Sequence, residues 1–148
     1  MSAESNKALV QKIFDRIWDK GEMSAVDELF DVNYVDHTER PPGTPSGLEG
    51  FKAVIMQIRK AFPDMKSTLQ DMIVEGDKVV GRWTNESTNT GEFMGMPPTG
   101  KKVTTSGIDI YRISGGKIVE GWGVVDMMSV MQQLGVGPGH PEGSGQTP

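Results

Sequence analysis

Two side chains in this sequence are best suited to moving protons: a carboxyl set in an apolar strand, and an imidazole nearer the N-terminus. The first is Asp109, within Gly107-Ile108-Asp109-Ile110-Tyr111-Arg112-Ile113. Strand alternation puts Asp109 on one face with Gly107 and Tyr111, and Ile108 and Ile110 on the other. A carboxylate among such neighbours is desolvated, which raises its pKa. The neutral acid can then donate a hydrogen bond to a developing enolate. The second is His37, in Tyr34-Val35-Asp36-His37. Neutral imidazole, with an ordinary pKa of about 6.5, suits proton abstraction beside a carbonyl. Asp36 faces away from His37 in an extended chain, so the two are not expected to pair.

These residues predict a division of labour in which His37 moves the proton and Asp109 stabilises the oxyanion. Trp83, Met94 and Met96 would wall the ligand, with Tyr34, Tyr111, Trp122 and Asp126 as further substrate-binding candidates. Several have competing structural duties. Trp122 also suits core or interface packing, and Asp126 suits a helix N-cap. Arg82, Thr84 and Glu86 share one strand face, where cross-strand surface pairs are the simpler role.

Composition narrows the classes. With no cysteine there is no disulfide, thiolate metal site or cysteine nucleophile. Two histidines, His37 and His140, are too few for a histidine-rich metal centre, and no metal or cofactor is expected. A net charge of -5 argues against nucleic-acid binding, which needs clustered Lys and Arg; Lys101-Lys102 is an isolated pair. The start, Met1-Ser2-Ala3-Glu4-Ser5, lacks a cationic then apolar pattern, and no run approaches a membrane span. A cytoplasmic protein without membrane partners is the expectation. Gly135-Val136-Gly137-Pro138-Gly139 follows a helix rather than a strand, so it fails as a phosphate loop.

The elements that must position these residues follow from periodicity. Leu9, Val10, Ile13, Phe14, Ile17 and Trp18 stack on one helical face, ended by Gly21. Ser24 starts a short second helix through Phe30, and Asn33–His37 reads as a short extended piece. A third helix carries Leu48 to Phe62 and closes at Pro63. Strands are predicted at Met65–Glu75, Lys78–Thr88, Val103–Ile113 and Lys117–Val125, then a helix at Met127–Leu134. The loop through Met94 and Met96 is apolar enough to lie over something. At 148 residues this is one domain over 1–136, followed by a loose Gly- and Pro-rich tail over 137–148. Helices first and antiparallel strands after predict an α+β fold, with N-terminal helices on one face of the sheet.

The order of several motifs resembles the SnoaL-like polyketide (ester) cyclases over nearly the whole chain. They are Trp18-Asp19-Lys20-Gly21, Gly91-Glu92-Phe93-Met94-Gly95-Met96-Pro97-Pro98-Thr99-Gly100, the Gly107–Ile113 stretch, the turn Gly115-Gly116, and Lys117-Ile118-Val119-Glu120 with Trp122. Gln132-Gln133-Leu134-Gly135 completes the set. The resemblance implies the cone-shaped nuclear-transport-factor-2-like (cystatin-like) fold, with helices on the concave face of a curved antiparallel sheet, and a homodimer through the sheet's outer face. Steroid isomerases and limonene epoxide hydrolases share that scaffold, and Ile108–Ile113 resembles the strand carrying the isomerases' buried acid. The isomerases' phenolic donor on the first helix is replaced here by Ile13. Where these cyclases carry a last-strand acid–base Asp, this chain has Gly123; where many relatives have a His, it has Gly121. If those positions face the pocket, two functional side chains are replaced by space.

The resulting expectation is a cofactor-independent enzyme performing aldol cyclisation or isomerisation on a small hydrophobic carbonyl substrate. A non-catalytic binder of a hydrophobic metabolite, an epoxide-hydrolase-like enzyme and a purely structural dimer module are the competing readings.

Overall fold

The computed structural model describes residues 2–136. The stretch expected as a loose tail, 137–148, and His140 within it lie outside those residues. Ser2 opens helix α1 (Ala3–Lys12) with a reciprocal cap: its hydroxyl accepts from the Ser5 backbone N–H at 3.0 Å. The helix widens into a π-helical stretch, Ile13–Asp19, and its apolar face (Leu9, Val10, Ile13, Phe14, Ile17) is buried. Helix α2 (Ser24–Leu29) leads directly into strand β1 (Phe30–Asp36), and helix α3 (Gly47–Ala61) follows. Strands β2 (Lys66–Glu75), β3 (Lys78–Thr88), β4 (Lys102–Ser114) and β5 (Lys117–Val125) precede helix α4 (Met127–Gln133).

The sheet order is β1-β5-β4-β3-β2. β2 to β5 form an antiparallel meander, but β1 pairs parallel with β5, so the sheet is mixed rather than wholly antiparallel. The physical reason is chain direction. Leaving α2, the chain runs along the free edge of β5 in the same sense, and the His37 backbone N–H donates to the Gly121 carbonyl at 2.8 Å. The extended piece is therefore a full edge strand, longer than the sequence pattern indicates. Gly115 and Gly116 make the β4–β5 turn, both at positive φ as a two-residue type I′ hairpin turn requires. Register irregularities at Leu69/Asp71 and Arg112/Ile113 bend the strands around the helices.

The main core joins the inner sheet face (Val79, Tyr111, Ile113, Ile118) to α1, the π-helical stretch, α2 and α3. A second cluster (Phe62, Met65, Phe93, Val103, Val130, Leu134) sits under the β3–β4 loop. That loop is pinned by the buried Asn89 side chain, which accepts from the Thr99 N–H at 2.9 Å and donates to the Gly91 carbonyl at 2.8 Å. A further clamp ties the π-helical end to the sheet. The Asp19 carboxylate accepts from the Ser67 N–H at 3.0 and 3.1 Å, while Arg59 caps the Trp18 and Asp19 carbonyls. No helix among the described residues is long and apolar enough to cross a membrane.

Candidate active site

The inner sheet face collects polar groups beside the main core. On β4, Asp109 and Tyr111 project the same way, and the Tyr111 hydroxyl donates to Asp109 Oδ2 at 3.0 Å. Trp83 on β3 is a diagonal neighbour of Asp109, since Gly81 pairs with Asp109 and Trp83 with Gly107. The Trp83 ring packs on Phe14 with centroids 6.2 Å apart. Gly107 makes its seat possible: a Cβ there would overlap the indole and come within 2.7 Å of the Val124 carbonyl.

The two glycines of β5 do not open space. A Cβ at Gly123 would stand 2.5 Å from Asp109 Oδ1 and 3.2 Å from Thr38 Oγ1; a Cβ at Gly121 would overlap the Tyr34 hydroxyl. The rungs explain this, because Asp109 faces Gly123 and Tyr111 faces Gly121 across β4–β5. The volume left by the absent side chains is thus filled from β4 and β1. Gly121 and Gly123 therefore stand beneath neighbouring side chains rather than beside the empty space expected of them.

β1 adds a pair that sequence reasoning missed. Asp36, whose side chain is only 7% exposed, accepts from Arg40 Nη2 at 2.8 Å and Nε at 3.2 Å, and from the Thr38 N–H at 3.0 Å. Arg40 and Asp36 both act electrostatically on Asp109, and with Tyr34 they form one cluster. The available signal was alternation, which sets Asp36 opposite His37. Only the pairing of β1 with β5 reveals which of the two faces inward.

Electrostatics single out Asp109. Residue 109 as a whole retains some exposure, but its carboxyl is withdrawn from water. Desolvation pushes its pKa up to about 6, against the pull of the Tyr111 hydroxyl, the Trp83 N–H and Arg40. Burial, with neighbouring negative charge, also raises the Tyr34 and Tyr111 phenols. Both therefore stay protonated near neutrality and remain donors.

The sequence-derived residues divide. Tyr34, Trp83, Asp109 and Tyr111 are brought together. His37 is on the opposite face: it hydrogen-bonds Glu120 Oε2 through Nε2 at 2.6 Å and stacks on Trp122 at 4.9 Å. Glu120 also accepts from Arg112 Nε at 2.7 Å, which holds its pKa down, with His37 adding to the effect. Trp122 pairs across strands with Ile110, on the face away from Asp109. Asp109 and His37 thus do not share a centre, because one residue of alternation separates His37 from the inward-facing Asp36. Met96 packs with the second cluster, and Met94 is exposed at positive φ, so neither joins Trp83 in a common wall. Asp126 caps α4, accepting from the Ser129 N–H at 3.1 Å. Arg82 meets Asp71 at 2.7 Å across exposed strands. An open groove of about 620 Å³ runs between the ends of β3–β5 and the start of α4, lined by Trp83, Gly107, Ile108, Val124, Asp126 and Met127 among others. Among the described residues no cluster of three or more His, Asp and Glu is arranged to hold a metal.

Known proteins resemble this chain in sequence and in fold. Nogalonic acid methyl ester cyclase of Streptomyces nogalater is 25% identical over 117 residues, covering 78% of this chain and 87% of that protein. The structure of TsrD from Streptomyces laurentii superposes with a TM-score of 0.81 at 27% identity, covering 91% of this chain and 98% of that one. IdmH, a proposed polyketide cyclase from Streptomyces antibioticus, gives 0.77 at 33% identity, covering 88% and 99%. The profile of the SnoaL-like polyketide cyclases matches residues 8–134, which span every strand and most of the helical scaffold around Asp109. On that match the chain belongs to the SnoaL-like polyketide cyclase family.

Proposed function

We propose that this protein catalyses an intramolecular aldol-type cyclisation of a small hydrophobic carbonyl compound, with Asp109 as the proton carrier. The observation that carries the reading is the desolvated Asp109 carboxyl, poised near neutrality and oriented by Tyr111. A base works best with a pKa close to the working pH. As a carboxylate, Asp109 takes the proton from the carbon next to a substrate carbonyl, and the electron pair moves onto the carbonyl oxygen as an enolate. The enolate carbon then attacks a second carbonyl of the same molecule, and the new alkoxide takes the proton back from Asp109. Isomerisation would use the same first step. Proton transfer and carbon–carbon bond formation call on no cofactor in this scheme. His37, held by Glu120 and Trp122 on the outer face, has no part in it.

The test follows hydrogen exchange at carbons next to carbonyl groups, in D2O, across a panel of cyclic and open-chain diketones. Deuterium incorporation is expected to rise through about pH 6, as Asp109 ionises. His37→Ala should keep the rate within about twofold, since only an exposed pair of small worth is lost. A rate that collapses in His37→Ala would transfer the base role back to the imidazole.

We further infer a homodimer through the outer sheet face. Val35, Ile108 and Val124 are 49%, 48% and 74% exposed there, beside half-buried Ile110 and Trp122. Such a contiguous apolar patch is characteristic of an interface. Val124→Glu should convert a dimeric mass to a monomeric one in light scattering after gel filtration; a wild-type monomer at micromolar concentration refutes this.

A further inference from the structure

With His37 outside the centre, Asp109 takes the role of base, and the donor for the developing oxyanion has to come from elsewhere. Tyr111 already gives its O–H to Asp109. Among the described residues, one buried side-chain donor has no hydrogen-bond partner: the indole Nε1–H of Trp83. Leaving such a group unpaired is costly, and natural structures rarely do it without a reason.

We propose that the Trp83 Nε1–H is a catalytic donor, binding the substrate oxygen on which the enolate charge develops while Asp109 holds the abstracted proton. Three placements support this. Trp83 is the diagonal neighbour of Asp109 on the same face. Its N–H bears on the Asp109 carboxylate without completing a hydrogen bond to it. The ring is fixed from both sides, by Phe14 and by the bare backbone at Gly107, so the donor is pre-oriented rather than mobile. Trp83 also reaches the end of the groove beside Gly107 and Met127, and its packing against Phe14 adds apolar surface on the Asp109 side of the sheet. The fitting ligand is therefore a largely apolar molecule with an enolisable carbonyl at one end.

This inference rests on the acid–base role of Asp109, and the two are separable. In the full chain, Trp83→Phe keeps an aromatic ring and removes only the donor. Exchange is expected to fall about 100-fold, the usual cost of deleting one oxyanion donor. The melting temperature should hold or rise, because an unpaired N–H is gone. The acid limb of the pH profile should move to higher pH, since that N–H favours the Asp109 carboxylate. In the wild type, the Trp83 indole signal should move downfield as 2-naphthol, a planar phenol standing in for an enol, is titrated in. If Trp83→Phe does not fold, Trp18→Phe and Trp122→Phe assign that signal by elimination among the three tryptophans. Exchange in Trp83→Phe within threefold of wild type, or an indole signal unmoved by saturating 2-naphthol, overturns the proposal. If Asp109→Asn also leaves exchange intact, the acid–base reading itself has failed; if it abolishes exchange while Trp83→Phe does not, only the donor role has.

Discussion

Asp109→Asn is expected to lower turnover about 1000-fold and, at pH 7.5, to raise the melting temperature of the same protein. The first effect is the expected cost of losing the proposed general acid–base group, commonly between about 100- and 10,000-fold. The second follows from linkage. Asp109 titrates at about 6 in the fold against an ordinary 3.8. Between those values the native state binds more protons than the unfolded chain, so stability falls as pH rises. The penalty is complete above about pH 6 and amounts to about 3 kcal/mol at most. An amide carries no charge to desolvate, and its oxygen can still accept from Tyr111. The variant's stability should therefore be flat between pH 4 and about 6.5 in this component, where the wild type declines. Thermal melts of both proteins across that range decide it: parallel curves would mean the carboxyl is well solvated and the reaction centre has been misplaced.

The second large effect is expected at the opposite rung. Gly123→Asp would drive a Cβ to within 2.5 Å of Asp109 Oδ1 and place two carboxyls in one desolvated space. Overpacking alone costs about 1–3 kcal/mol, and like charges that close force one acid to stay protonated. A total of about 3 kcal/mol or more corresponds to a fall of roughly 10 °C in a domain of this size. The double variant Asp109→Ala, Gly123→Asp removes the obstruction and should recover most of that fall, leaving one acid on β5 instead of β4. The cycle measures the coupling directly. A double variant as unstable as Gly123→Asp alone would show that some other contact, such as Thr38, sets the requirement for glycine.

The same rungs explain how the site departs from the pattern the family resemblance implies. The acid expected on the last strand is absent, and Asp109, its cross-strand partner, fills the vacated position from the neighbouring strand. Tyr34 does the same at Gly121 from β1. A search along the last strand alone finds two glycines and no chemistry. Seen across the sheet, each glycine has a polar side chain over it.

Much of this was legible in one dimension. The helical stripe from Leu9 to Trp18, the four strand runs of the meander, the Gly115-Gly116 hairpin and the N-cap at Asp126 are local patterns, governed by neighbours within a few residues. The desolvation of Asp109 was legible as well, from an acid set in an otherwise apolar strand and sharing its face with Gly107 and Tyr111. What the sequence could not decide was which face of β1 turns inward. Asp36 and His37 are equally plausible inhabitants of a short extended piece, and the choice between them is made by a parallel partner some 80 residues away, whose bonding to the His37 and Gly121 backbones sets the register. Alternation has a period of two, so a single rung of register exchanges a buried carboxylate beside Asp109 for a surface ion pair. Only long-range packing can fix that rung.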